Sequence, residues 1–170
     1  FLPISNTKEY LNTDTDYSGQ RIAVMVESFD PKSLSIVVTQ IGTDNIDFNV
    51  DELNKTIKLI SESKLNGRVL EANMEKLQYK KNISDSGAIN PSGVIVKINN
   101  HIKAFLPISN SRDYLDAETD YSGQRIAVMV ESFEIKSFSI IVTEVRVADN
   151  DFDIKMVNEA LELVGNAKIE

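Results

Sequence analysis

Residues 105–143 read FLPISNSRDYLDAETDYSGQRIAVMVESFEIKSFSIIVT, and residues 1–39 read FLPISNTKEYLNTDTDYSGQRIAVMVESFDPKSLSIVVT. Of these 39 aligned positions, 29 are identical. At an offset of 104 the correspondence runs on without a gap: Asp47 meets Asp151, Phe48 meets Phe152, Asn54 meets Asn158, Leu59 meets Leu163 and Lys64 meets Lys168. A period of this length is far longer than a solenoid repeat and matches a small domain, so the chain reads as a tandem array of one kind of unit.

Working outward, residues 101–108 alternate, with Ile102, Ala104, Leu106 and Ile108 on one side and His101, Lys103, Phe105 and Pro107 on the other. That period of two is the mark of a half-buried strand. Residues 93–98 do the same, turning Val94, Val96 and Ile98 inward and Ile95 and Lys97 outward. Residues 124–133 bury Ile126, Val128 and Val130, residues 138–143 are rich in β-branched side chains, and residues 67–74 supply a fifth strand. Turn chemistry separates them at Tyr121-Ser122-Gly123, its twin Tyr17-Ser18-Gly19, and Asn90-Pro91-Ser92-Gly93. The period changes at residues 50–64, where Val50, Leu53, Ile57 and Ile60 fall at helical spacing behind the potential caps Asp47 and Asn49; Ile154, Val157, Leu161 and Val164 repeat that stripe.

The expected fold is therefore all-β with added helices: five-stranded OB-fold barrels in tandem, each followed by an amphipathic helix that joins one barrel to the next. Residues 1–66 hold a partial barrel, its last three strands, plus the connecting helix. Residues 67–170 hold a complete barrel with an insertion at about 75–91 and a second helix. Three strands alone leave sheet edges open, so two upstream strands are expected to complete the first barrel. A permuted barrel, in which residues 67–98 pair with the first copy, is the alternative.

The segments GRVLEAN at 67–73, GVIVKI at 93–98, KAFLPIS at 103–109, SGQRIAVMVESFE at 122–134 and SFSIIVT at 137–143 resemble, in order and spacing, the RNA-binding domain of ribosomal protein S-one. The resemblance covers residues 67–145 and the last three strands of the copy at 1–39. It implies single-stranded RNA held on the outer face of strands two and three, in translation or RNA-decay machinery, and in some repeats a contact with the ribosome or another protein. The chain departs from the family pattern at Ile95, where an aromatic is usual, at Pro107, where many members have histidine, and at Ser137, where arginine is common.

Gripping a single strand requires an exposed aromatic to stack on a base and cations for the phosphates. Alternation places Phe105, Lys103, His101 and Lys97 on one outward surface with Ile95, and Lys136 lies in the turn before the last strand. These six residues are the candidate RNA-binding set. Packing of Phe105, and of its twin Phe1, against a barrel end is the structural alternative. A second basic and aromatic cluster, Lys76, Lys80 and Lys81 around Tyr79, falls in the insertion.

Composition limits the remaining classes. The net charge is −8, from 26 acidic against 18 basic residues, so any contact with nucleic acid must be local. There is no cysteine and only one histidine, which removes disulfides and thiolate chemistry and leaves no two-histidine metal site. The acid pairs Asp14 with Asp16 and Glu118 with Asp120 sit in turns, where capping explains them better than acid–base catalysis. No phosphate-cradling glycine loop is present. The chain is thus read as non-enzymatic, without cofactor or catalytic residues. Its expected partners are single-stranded RNA, the small ribosomal subunit, or other proteins of a large assembly, in the cytoplasm or an organellar stroma such as a plastid's. No apolar run approaches the roughly 18 to 20 residues that span a bilayer, so no membrane insertion is expected. Two rivals from other classes are a scaffold protein using duplicated barrels for protein contact and an accessory domain of an RNA-processing enzyme.

Overall fold

A computed structural model describes residues 1–8, 10–43, 47–79, 90–148 and 151–167, and it makes a strand of each alternating stretch of the second copy. Strands Val24–Asp30 (β1) and Ser35–Gln40 (β2) belong to the first copy. Strands Leu70–Tyr79 (β3), Pro91–Ile98 (β4), Ile102–Pro107 (β5), Arg125–Glu134 (β6) and Ser139–Val145 (β7) form the second. Helix Val50–Asn66 (α1) lies between the two sets, and helix Ile154–Ala167 (α2) follows the second. Among the described residues no helix is long and apolar enough to cross a membrane.

The five strands of the second copy close into a barrel in the order β3-β4-β5-β7-β6, with β6 returning to β3. Only β5 and β7 run parallel, meeting at Phe105 and Ile141. Inward positions are apolar throughout, and Val94, Val96, Ile98, Ile102 and Leu106 lose all contact with solvent. The β4–β5 turn carries Asn99 and Asn100 at φ 49° and 60°, the two consecutive left-handed residues of a type I′ hairpin whose twist suits paired strands. Across the closing seam, Arg125 donates a hydrogen bond to Glu71 at 2.8 Å.

Several boundaries differ from those expected, among them that of β4, which starts at Pro91 within the stretch read as a turn. The first barrel strand starts at Leu70 because Gly67 terminates α1 in the left-handed region at φ 70°, its N–H donated to the Ser63 carbonyl. Residues 75–79, assigned above to an insertion, extend β3 and pair with β4 as far as Tyr79 and Pro91; residues 80–89, including Lys80 and Lys81, lie outside the described residues. Ile108, placed inward by alternation, is exposed, because the strand ends at Pro107 and the chain enters the 3-10 turn Ile108–Asn110.

The first copy repeats half of this architecture. β1 pairs with β2, and Phe1 lies beside β2, its N–H donated to the Ile36 carbonyl and its own carbonyl accepting from Val38, as β5 lies beside β7. The permuted barrel is not adopted, since β3 pairs with β6 through Leu70 and Val128. The core face of β1 is consequently open: Val24 and Val26 are 41% and 58% exposed, against 0% and 4% for their twins Val128 and Val130. The turns before β2 and β7 match in backbone, with Leu34 and Phe138 both at positive φ, 53° and 46°.

Helix α1 begins at Asn49, whose side chain accepts from the amides of Asp51 and Glu52. Its buried stripe is Leu53, Thr56, Ile60 and Ser63; Val50, expected on that stripe, is exposed, and Ile57 is half-buried. The stripe turns because α1 plugs the end of the second barrel, where two small polar residues allow close approach. β3 pairs with β6 only as far as Val128, and the amide of Val130 beyond it is donated to Ser63 Oγ at 2.9 Å. Helix α2 holds its own unit differently: Asn158 accepts from Val69 N at 2.8 Å and donates to Val69 O at 2.9 Å. Phe152 packs beneath it, with the Arg125 guanidinium 4.1 Å from the ring centre, a pairing that Arg21 and Phe48 repeat at 4.3 Å.

Two outcomes follow for stability. Ser63→Ala leaves the buried Val130 amide without a partner and should lower unfolding free energy by about 1–3 kcal/mol, read by urea denaturation. The Arg125 hydrogen bond holds the Glu71 carboxyl below its usual range. A depressed folded pKa gives stability that is present above the unfolded value, about 4.3, and lost as pH falls through the lower folded value. Glu71→Gln should therefore cost about 0.2–1 kcal/mol at neutral pH and nothing once acid has protonated the parent's carboxyl, a difference that denaturation across pH will show.

Candidate nucleic-acid interface

The outer face of β4 and β5 is set by their register. Lys97 stands opposite Lys103, Ile95 opposite Phe105, and Gly93 opposite Pro107. Gly93 is required by its neighbours: a Cβ there would lie 2.3 Å from the Leu106 carbonyl oxygen and 2.6 Å from the Phe105 ring. The ring thus rests over the bare backbone of Gly93 and stays half-buried, with part of its surface facing out.

Two lysines directly across an antiparallel pair repel each other. Here the charge between them is met by Glu75, whose carboxylate lies 3.3 Å from Lys97 Nζ and 3.7 Å from Lys103 Nζ. Glu75 reaches both because β3 bulges between Met74 and Lys76, which re-aims the intervening side chain. Its Oε2 is buried and accepts no hydrogen bond, so the lysine charges are its compensation.

A further cation comes from the first copy. Lys8 reaches the β6–β7 turn and donates to the carbonyls of Ser137 and of Phe138, the latter at 2.8 Å, with its ammonium 5.8 Å from the Phe138 ring centre. Burial lowers its pKa from the ordinary lysine value. Lys8, Lys76, Ile95, Lys103, Phe105 and Phe138 line one cleft of about 500 Å³. A larger cleft, about 1010 Å³, lies between α1 and α2, but its charged lining is mainly glutamate and it contains no aromatic side chain.

Of the six candidates, the cleft brings together Phe105, Lys103 and Ile95. Lys97 adjoins it through Glu75. His101 points away to α1, with Nε2 3.3 Å from Glu52. Lys136 is exposed in the β6–β7 turn, where its carbonyl accepts from Thr39 Oγ1 at 2.9 Å and so helps join the two copies. Of the paired acids, Asp16 and Asp120 act as turn caps, each accepting the backbone N–H of the serine two residues on, while Asp14 and Glu118 donate their own backbone N–H to the side chains of Asn12 and Asp116. Lys8, Phe138 and Glu75 were missed by sequence reasoning. Continuing the alternation of residues 70–74 by one outward position reaches Glu75; no local signal ties Lys8 to a strand 95 residues away.

No protein-family model matches this chain, and no curated protein matches it.

Removing the shared carboxylate tests the electrostatics of this surface. Glu75→Gln removes the negative charge beside Lys97 and Lys103, so affinity for a single-stranded polyanion should rise. The salt dependence should steepen by at most about 1.4, two lysines at roughly 0.7 each. Titrations at several salt concentrations measure both quantities.

Proposed function

We propose that the chain is a non-catalytic section of a tandem array of OB-type barrels of the ribosomal S-one kind, and that the outer face of β4 and β5 binds single-stranded RNA. The observation that carries this reading is the cleft in which Phe105, set over Gly93, is flanked by Lys8, Lys76 and Lys103. A partly exposed ring supported from behind by backbone suits base stacking, and cations within the same cleft suit the phosphates on either side. The closed ring, with its third and fifth strands parallel, supports the OB assignment. A role in translation rests on the resemblance of the five strand segments.

Charge tempers the expected affinity. With Glu75 between two of the lysines and an overall charge of −8, stacking carries a larger share of binding than counterion release. The same carboxylate favours a second reading, in which this face docks on protein within an assembly, because a neutralised surface with an aromatic at its centre also suits a protein contact.

The deciding experiment is a low-salt titration of the chain with a fluorescently labelled single-stranded RNA. Phe105→Ala should weaken binding by about 1–3 kcal/mol while circular dichroism reports an intact β fold. A parent chain without affinity at low salt, or a Phe105→Ala variant that binds as well as the parent, rejects the RNA reading and leaves the docking one.

A further inference from the structure

The second copy carries on its far side a replica of the surface by which the first copy holds it. In the observed junction, Thr56 and Ile60 of α1 are buried against the second barrel, Thr39 Oγ1 donates to the Lys136 carbonyl, and Lys8 reaches the carbonyls of Ser137 and Phe138. One repeat later those positions are Ala160, Val164, Thr143 and Arg112. The α2 positions are open: Val164 is 58% exposed where Ile60 is fully buried, and Leu163 is 71% exposed where Leu59 packs against the core. The Thr143 hydroxyl donates to the exposed Glu131 at 3.2 Å, and the Arg112 guanidinium donates to the Val147 carbonyl at 3.1 Å.

The complementary half of the junction is open on the same chain. On the second copy α1 grips mainly β6 around Val130, while Thr39 and Lys8 hold the turn carrying Lys136, Ser137 and Phe138. In the first copy the equivalents are Val26 and the turn of Lys32, Ser33 and Leu34, all exposed. The strands concerned are the same ligand in sequence, since residues 17–29 and 121–133 are identical.

We propose that α2 of one chain seats on β1 of a second copy, reproducing between molecules the contact that α1 makes with β6 within one. Donor and acceptor are different surfaces, so each molecule can hold one neighbour through α2 and another through β1, a head-to-tail association. It is weaker than its intramolecular template, because position 167 is alanine where Ser63 supplies a hydrogen bond and no covalent link raises the local concentration. The inference rests on the repeat and the exposed faces and is independent of the RNA reading.

Sedimentation velocity over a wide range of concentrations tests it with the 170-residue chain. The expected result is a mass that climbs with concentration past that of a dimer. Val164→Glu on the donor side and Val26→Glu on the acceptor side, both at exposed positions that tolerate a charge, should each weaken association by about tenfold or more. Mixing the two variants should restore a one-to-one dimer and nothing larger, because each supplies the surface the other lacks. A chain that stays monomeric throughout, a parent that stops at a dimer, or a mixture that fails to pair overturns the proposal. So does Val26→Glu associating as the parent does, since that would show α2 pairing with α2.

Discussion

The barrel of the second copy is closed at one end by a helix that precedes it in the chain, and much else depends on that contact. Five short strands in a ring leave backbone groups without partners where neighbouring strands part. At the seam β3 leaves β6 after Val128, and the next inward amide, that of Val130, is met by the hydroxyl of Ser63. An apolar residue at position 63 would fill the space and leave the amide unpaired in a dry site. The helix is therefore more than a link: its polar Thr56 and Ser63 sit on the buried face because the barrel end needs closeness and an acceptor.

The outer face of β4 and β5 follows from a second constraint, the crowding above Gly93. Without a side chain there, the Phe105 ring settles over the strand, and the neighbouring positions fall to Ile95 and the two lysines. Opposed lysines would weaken the pair, and the bulge in β3 brings Glu75 between them. The arrangement stabilises the sheet and reduces the positive field the same lysines present outward. Folding and the proposed anion binding thus draw on the same three charges in opposite directions.

Strands were legible wherever alternation was strict: Val94, Val96 and Ile98, and Ile102, Ala104 and Leu106, all point inward as the pattern requires. The repeat also marked Val24–Asp30 and Ser35–Gln40 as the counterparts of β6 and β7. Legibility failed where tertiary contact overrode local pattern. Val50 fits a helical stripe yet faces out, while Ser63 and Thr56 look like surface residues and are buried. Within the candidate site, alternation found Phe105, Lys103 and Ile95, but it could not separate them from His101, which α1 captures through Glu52, a residue far away in sequence. Lys8 and Phe138 belong to different copies and meet only because the copies pack together.

The matched turns at Leu34 and Phe138 carry a last consequence. A bulky residue in the left-handed region is strained, and the strain persists only where the surroundings hold it. Phe138 is held: it is buried, with Phe133 edge-on at 5.3 Å and Lys8 bound to its carbonyl. Leu34 keeps the same backbone while three-quarters exposed, with little packed around it. Two nearly identical hairpins therefore sit at opposite ends of a gradient of local stability. The first hairpin has less to hold it, so local opening is expected there before it reaches the second.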